Sequence, residues 1–277
     1  MKTDNSMQQN FAILKKAEDI GILVLNGWKV AVESASLFLE TLYWIVVGPF
    51  RGKPVDLKAL FQQMVFMGFE SIKIVFFVTF FTGIVLAMQS AHQLSKMGGT
   101  IYVASLVTIS LCRELGPVLT ALVLAGRIGA SITAEIGSMK VNEQIEALDT
   151  MGINPVRYLV VPKFLALLFM LPILTVLGNA SGMFGGYMIG VYNLKINAGL
   201  YIQTAFKFLT IKDIYTGLSK SLIFAVIITM VGVYQGLKTN GGAVEVGRAT
   251  TISVVVSFIL IILADCLMTG IYFFVKM

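Results

Sequence analysis

Apolar residues along this chain fall in long blocks rather than in the alternation of a half-buried strand or the narrow stripe of a surface helix. Five blocks, at about 64–91, 98–136, 158–191, 212–237 and 248–275, are each long enough to cross a hydrocarbon core, which takes about 20 residues. Backbone groups left unpaired in lipid cost several kcal/mol each, so blocks of this kind cross as helices. The pattern predicts an all-α polytopic membrane protein with a tail and interfacial helix over residues 1–60 and a transmembrane domain over 61–277. The second block would reach about 60 Å as one helix, at about 1.5 Å per residue, more than a bilayer needs, so it must tilt, bend or project into water. Pro117 supplies a cause for bending, because its missing N–H frees the carbonyl of Arg113.

Ahead of the first block, residues 1–10 are polar, and 11–50 mix apolar positions with Lys15, Lys16, Glu18, Asp19, Lys29, Glu33 and Glu40. That mixture predicts an amphipathic helix lying on the membrane. The alternative is a first span over 34–50, which Glu40 interrupts and Gly48-Pro49 closes early. Within the third block, Gly178, Gly182, Gly186 and Gly190 recur every four residues and make a face on which another helix can approach closely, either inside one subunit or between two. Between the second and third blocks, Gly137 to Gly152 reads as a short helix bracketed by glycines. Met139, Ile145, Leu148 and Met151 recur at near-helical spacing, with Lys140, Glu143, Glu146 and Asp149 on the other faces. It is too short and too charged to span. Three acids are disfavoured against an anionic leaflet, so a protein socket is the expected neighbour, with the headgroups as the alternative.

Composition agrees with the pattern: 57% of residues are hydrophobic, 13% charged, and mean hydropathy is +0.85. The net charge of +6 does not signal nucleic acid, because the basic residues are scattered and follow the loops. With the N-terminus placed in the cytoplasm, thirteen Lys and Arg lie on the cytoplasmic side, five lie outside, and Arg113, Arg127 and Lys220 fall within the membrane zone. That bias predicts a cytoplasmic N-terminus and a periplasmic C-terminus. Cys112 and Cys266 lie in apolar segments without metal-ligand spacing, so packed thiols are expected and no metal site. No short apolar core followed by a small-residue cleavage site opens the chain, so no removable signal peptide is expected. His92, the only histidine, falls in the loop after the first block and has no convincing nucleophile partner.

Four ionisable residues sit in apolar surroundings: Arg113, Glu114, Lys220 and Asp265. Charges at bilayer depth are expensive and mark functional sites by default. Neighbours on a helix point about 100° apart, so Arg113 and Glu114 cannot both aim at one spot. Two readings stay open: buried ion pairs of Arg113 or Lys220 with Asp265 or Glu114 that fix helix register, or a lipid-lined cavity in which Arg113 or Lys220 meets a phosphate.

Several of these stretches resemble a known family. Glu146-Ala147-Leu148 followed by Gly152 resembles the loop by which ABC importer permeases engage their ATPase, although the spacing to Pro162 differs. Cys112-Arg-Glu-Leu-Gly-Pro-Val-Leu-Thr, Ala125-Gly-Arg-Ile-Gly-Ala, Glu135-Ile-Gly-Ser-Met-Lys-Val-Asn-Glu-Gln-Ile-Glu-Ala-Leu, Gly247-Arg-Ala-Thr-Thr and Asp265-Cys-Leu-Met-Thr resemble the MlaE (YrbE-type) permease family. That resemblance implies a homodimeric permease in a bacterial inner membrane that moves phospholipids between inner and outer membranes. It further implies cytoplasmic ABC ATPase subunits that bind ATP and Mg, a periplasmic MCE-domain lipid carrier, an interfacial N-terminal helix, five spans, and a coupling helix at 138–151. Independently, no G-x-x-x-x-G-K-[ST] phosphate loop occurs in the sequence, so any ATP is bound by another chain and no cofactor is expected on this one. An ion-coupled secondary transporter of an amphipathic solute is the alternative, since intramembrane acids relay protons, but no inverted repeat is visible.

Overall fold

The computed structural model describes residues 28–52, 55–96 and 98–274, and these form helices and turns with no strand among them. Eight helices carry the architecture: α1 Trp28–Val47, α2 Leu57–Ser95, α3 Thr100–Val141, α4 Gln144–Thr150, α5 Val156–Asn193, α6 Ala198–Lys207, α7 Ile211–Leu237 and α8 Ala243–Phe274. Among the described residues, six helices are long and apolar enough to cross a membrane. The five predicted blocks fall on α2, α3, α5, α7 and α8, and α1 is the sixth. The predicted tail over 1–10 and the part of the interfacial helix before Trp28 lie outside the described residues.

The contacts of α1 decide how it runs. Glu33 Oε2 accepts a hydrogen bond from the Tyr234 hydroxyl (2.8 Å) in the last turn of α7. Glu40 Oε1 accepts from Asn154 Nδ2 (3.0 Å), just before α5 begins, and the Arg157 guanidinium lies over the Trp44 ring. Phe38 meets Phe164 edge-on two turns into α5. A helix running alongside α5 and α7 would meet steadily deeper residues of both. These contacts fall within the first two turns of α5 and the last turn of α7, so Glu33 and Glu40, two turns apart on α1, both stand at the end of the bundle that carries α4.

The core is built by α3, α5 and α7, where Leu124, Ile128, Ile132, Leu167, Leu171, Leu174, Phe224 and Ile228 are fully buried. Lipid tails are as apolar as these side chains, so the helices associate by close packing rather than by expelling water. At the tightest pair, α2 on α5, a Cβ at Gly83 would overlap the backbone of Gly182. By contrast, α8 packs chiefly on α3 and α7 and leaves Ile259, Leu263, Leu267, Ile271 and Phe274 exposed.

Two helices bend. In α2, a tight turn at Phe69–Ser71 follows Gly68. In α3, two wide π-turns occur, at Leu111–Leu115 and Ala125–Gly129. The first precedes Pro117, where the sequence placed the bend, and its widening is seen in the bond from the Gly116 N–H to the Leu111 carbonyl. Such turns add a residue to the helix and re-aim the side chains they carry.

The helix α6 was not anticipated. Asn197 caps it by accepting from the N–H groups of Gly199 and Leu200, as an N-cap asparagine does. Its buried Tyr201 packs against α5.

Candidate functional site

At the N-terminal end of α7, Thr210 and Asp213 form a capping box, each side chain bonding the other's backbone. One turn further, a Cβ at Gly217 would overlap the Cys112 carbonyl oxygen and stand 3.2 Å from Pro117 Cγ. The absent side chain therefore brings the α7 backbone onto the first π-turn of α3. That approach sets Lys220 of α7 beside Glu114.

Lys220 Nζ pairs with Glu114 Oε2, stands 2.8 Å from Asp265 Oδ1, and donates to Thr269 Oγ1 at 2.7 Å. The contact with Asp265 is ionic, with no hydrogen bond aligned to Oδ1. Thr269 Oγ1 donates to the Asp265 carbonyl (2.8 Å) and lies 3.3 Å from both Glu114 carboxylate oxygens. Three helices, α3, α7 and α8, are thus joined by one ammonium, two carboxylates and a hydroxyl. Lys220 is 1% exposed, whereas the side chains of Glu114 and Asp265 are 32% and 23% exposed. The cation is enclosed, and carboxylate edges are what an approaching molecule meets.

Arg113 points elsewhere, as the angular offset of neighbours requires. Its guanidinium stands 4.0 Å from Asp213 Oδ1 and is 40% exposed. Lys220 is already surrounded, so of the two cations it is Arg113 that has a free face for a phosphate. Arg127, in the second π-turn, pairs with Glu70 (2.6 Å) and donates to the Phe66 carbonyl (3.2 Å), fastening α3 to the bend in α2.

The segment expected to form one helix over 138–151 is broken. Instead α3 runs straight through Gly137 to Val141, and Asn142 and Glu143 interrupt, Glu143 with a left-handed φ of 57°. Gly137 ends nothing: its bare Cα packs against Thr239 and Val246. At the other bracket, Gly152 with φ 72° does close α4. The anticipated apolar ridge is divided as well. Ile145 is buried in the main core with Met139 packed against it, Leu148 is half-buried, and Met151 is exposed. What faces outward is Glu143, Glu146 and Asp149, an acidic surface. Lys140 pairs with Glu146, and that hydrogen bond is the main reason the Glu146 carboxyl is held below the ordinary value of 4.5.

Residues 60–271 match the family described as Permease MlaE. The chain belongs to the MlaE permease family. Among its relatives are probable ABC transporter permease proteins of Rickettsia typhi, 39% identical over 260 residues, and of Rickettsia prowazekii, 41% identical over 260 residues; both matches cover 94% of this chain and 94% of the relative. A probable ABC transporter permease protein of Synechocystis is 40% identical over 212 residues, covering 76% of this chain and 80% of that one. An ABC transporter permease of the MlaE family replaces the ion-coupled carrier as the frame for the site.

In this MlaE permease the glycine face of α5 is spent inside the subunit. Around Gly178 stand Thr120, Thr79 and Val75, around Gly182 stand Leu111 and the Thr79 carbonyl, and Gly186 meets Val107 and the Tyr201 hydroxyl. Gly190 lies under the Tyr201 ring. Sequence reasoning missed Thr269, one helical turn after Asp265, and Asp213, the partner of Arg113. The i, i+4 spacing of Asp265 and Thr269 was a usable signal; nothing in the sequence joined Asp213 to Arg113.

Proposed function

We propose that this chain is the membrane subunit of an ABC transporter that moves phospholipid between the inner and outer membranes. In this reading it is a homodimer in the bacterial inner membrane, with ABC ATPase subunits on the α4 side and an MCE-domain carrier on the periplasmic side. The C-terminus is then periplasmic, and α1 lies in the cytoplasmic headgroup layer, as its contacts across the ends of α5 and α7 support. Such a partner ATPase would hold the ATP and Mg.

The observation that carries the reading is the enclosed Lys220 with its two part-exposed carboxylates. The cluster lies nine residues from the outer ends of both α7 and α8, about 14 Å along each helix. It stands beside the bare apolar face of α8, so charge and hydrocarbon walls adjoin, as a molecule with a polar head and acyl chains requires. Arg113 is the group to meet a phosphate, being exposed and fork-shaped, while Glu114, Lys220 and Asp265 hold the three helices in the arrangement that opens or shuts the path. The acidic outer face of α4 is the surface on which the ATPase would push, and a push changes transport only by favouring one packing of the spans over another.

The test is lipid movement by the complete complex reconstituted in vesicles. Glu114→Gln and Lys220→Met should each lower the rate by about tenfold or more, about 1.4 kcal/mol of barrier, while the ATPase still co-purifies. Wild-type rates in both variants reject the assignment.

A further inference from the structure

A second enclosed lysine sits at the opposite end of the bundle. Lys163, two turns into α5, is 2% exposed, and its Nζ bonds one group among the described residues, Glu135 Oε2 on α3 at 2.7 Å. The residues flanking the pair along both helices, Ile132 and Ile136 on α3 and Val160 and Phe164 on α5, belong to the main core. The Glu135 side chain is 45% exposed.

This part of α3 is fixed on its other side. Thr133 Oγ1 donates to the Gly232 carbonyl of α7 at 3.0 Å, a Cβ at Gly236 would stand 2.9 Å from Ile136 Cβ, and Gly137 abuts α8. Residues 133–137 of α3 therefore form one block with α7 and α8, and Lys163–Glu135 ties α5 to it. The chain between the two paired residues contains α4, whose Ile145 is buried in the same core. The helices α3 and α5 lead directly into and out of α4 at the end of the bundle where the pair sits.

Stability alone does not account for a lysine here. Apolar side chains of similar volume usually hold a buried site as well as an ion pair or better. What an ion pair adds is register: it forms in one alignment of the two helices and is lost in others. We propose that Lys163 and Glu135 are positioning residues that make α3 and α5 answer a movement of α4 as one body. The proposal rests on the reading of α4 as the ATPase-facing segment.

The test uses the full complex in vesicles of phosphatidylethanolamine and phosphatidylglycerol, with lipid moved per ATP hydrolysed as the readout. Lys163→Met removes the buried charge and leaves Glu135 hydrated at the surface. Its melting temperature should equal or exceed that of the wild type and its ATPase should co-purify, but lipid moved per ATP should fall about tenfold, an ordinary coupling free energy. Lys163→Arg, which keeps the charge, should recover most of the loss. Wild-type coupling in Lys163→Met overturns the proposal, as does a Lys163→Met protein that fails to accumulate, which would make the pair a folding element. Absence of any ATPase from the wild-type preparation overturns the reading of α4, and this proposal with it.

Discussion

Lys220 and Lys163 show what governs a charge inside an apolar bundle. Burying an ammonium costs several kcal/mol, and removing one partner of a pair typically costs about 3–5 kcal/mol when the other is left buried and uncompensated, whereas a carboxylate that reaches the surface, as Glu135 does, is taken up by water. The sequence therefore announced that Arg113, Glu114, Lys220 and Asp265 would be paired or hydrated. It could not say which with which, since that depends on where Gly217 lets α7 touch α3. The same applies to Glu135, which sequence reading noticed only as part of a longer stretch. On the surface the terms are smaller. Glu146 is exposed and its carboxyl is lowered chiefly by the Lys140 hydrogen bond. A folded value below the unfolded one means that the pair's contribution is present above the unfolded carboxyl value and disappears as pH falls through the folded one. Lys140→Met should therefore raise the Glu146 value toward 4.5, read by NMR titration of the side-chain carboxyl. An unmoved titration would remove Lys140 as the cause.

At the level of helices, the apolar blocks located α2, α3, α5, α7 and α8 because a membrane span leaves a long compositional trace. The small helices left weaker ones. Asn197 followed by Tyr201 and Ala205 was a usable signal for α6, but the break before α4 rests on a glutamate in a left-handed conformation, for which residue type gives no warning. The glycine face of α5 was visible as a packing surface, and its partners, α2, α3 and Tyr201 of α6, came only with the fold. Which glycines matter follows from what a side chain would meet. Gly83→Ala drives a methyl group into the Gly182 backbone and should cost about 1–3 kcal/mol, as overpacking does, seen as a lowered melting temperature. Gly126→Ala meets nothing within 4 Å and should be neutral or stabilise the helix by up to about 1 kcal/mol. Equal effects at the two positions would show that the α2–α5 contact is looser than its geometry.

Across the whole molecule, α1 is the place where composition and arrangement part. By length and hydropathy it qualifies as a span, yet Glu33 and Glu40 both bond to the α4 end of the bundle, the contacts on which its interfacial reading rests. Glu40 was legible as an interruption; its partner Asn154 was not, because residues 114 apart in sequence meet only in the folded chain. The one-sided exposure of α8 did leave a trace in its sequence: Ser253, Ser257, Asp265 and Thr269 recur at multiples of four residues and mark the face turned to the bundle.

The cluster at Lys220 also has an electrical consequence. One ammonium against two carboxylates leaves a surplus of one negative charge, held where the transmembrane potential falls. Moving a unit charge through the full potential is worth about 2.3 kcal/mol per 100 mV, so a rearrangement that shifts this cluster even part of the way is biased by voltage. With the potential of the vesicles clamped by an ionophore, wild-type lipid movement should vary with voltage, and Asp265→Asn, which balances the cluster, should not. A wild type indifferent to voltage would mean that the cluster is not displaced across the field during transport.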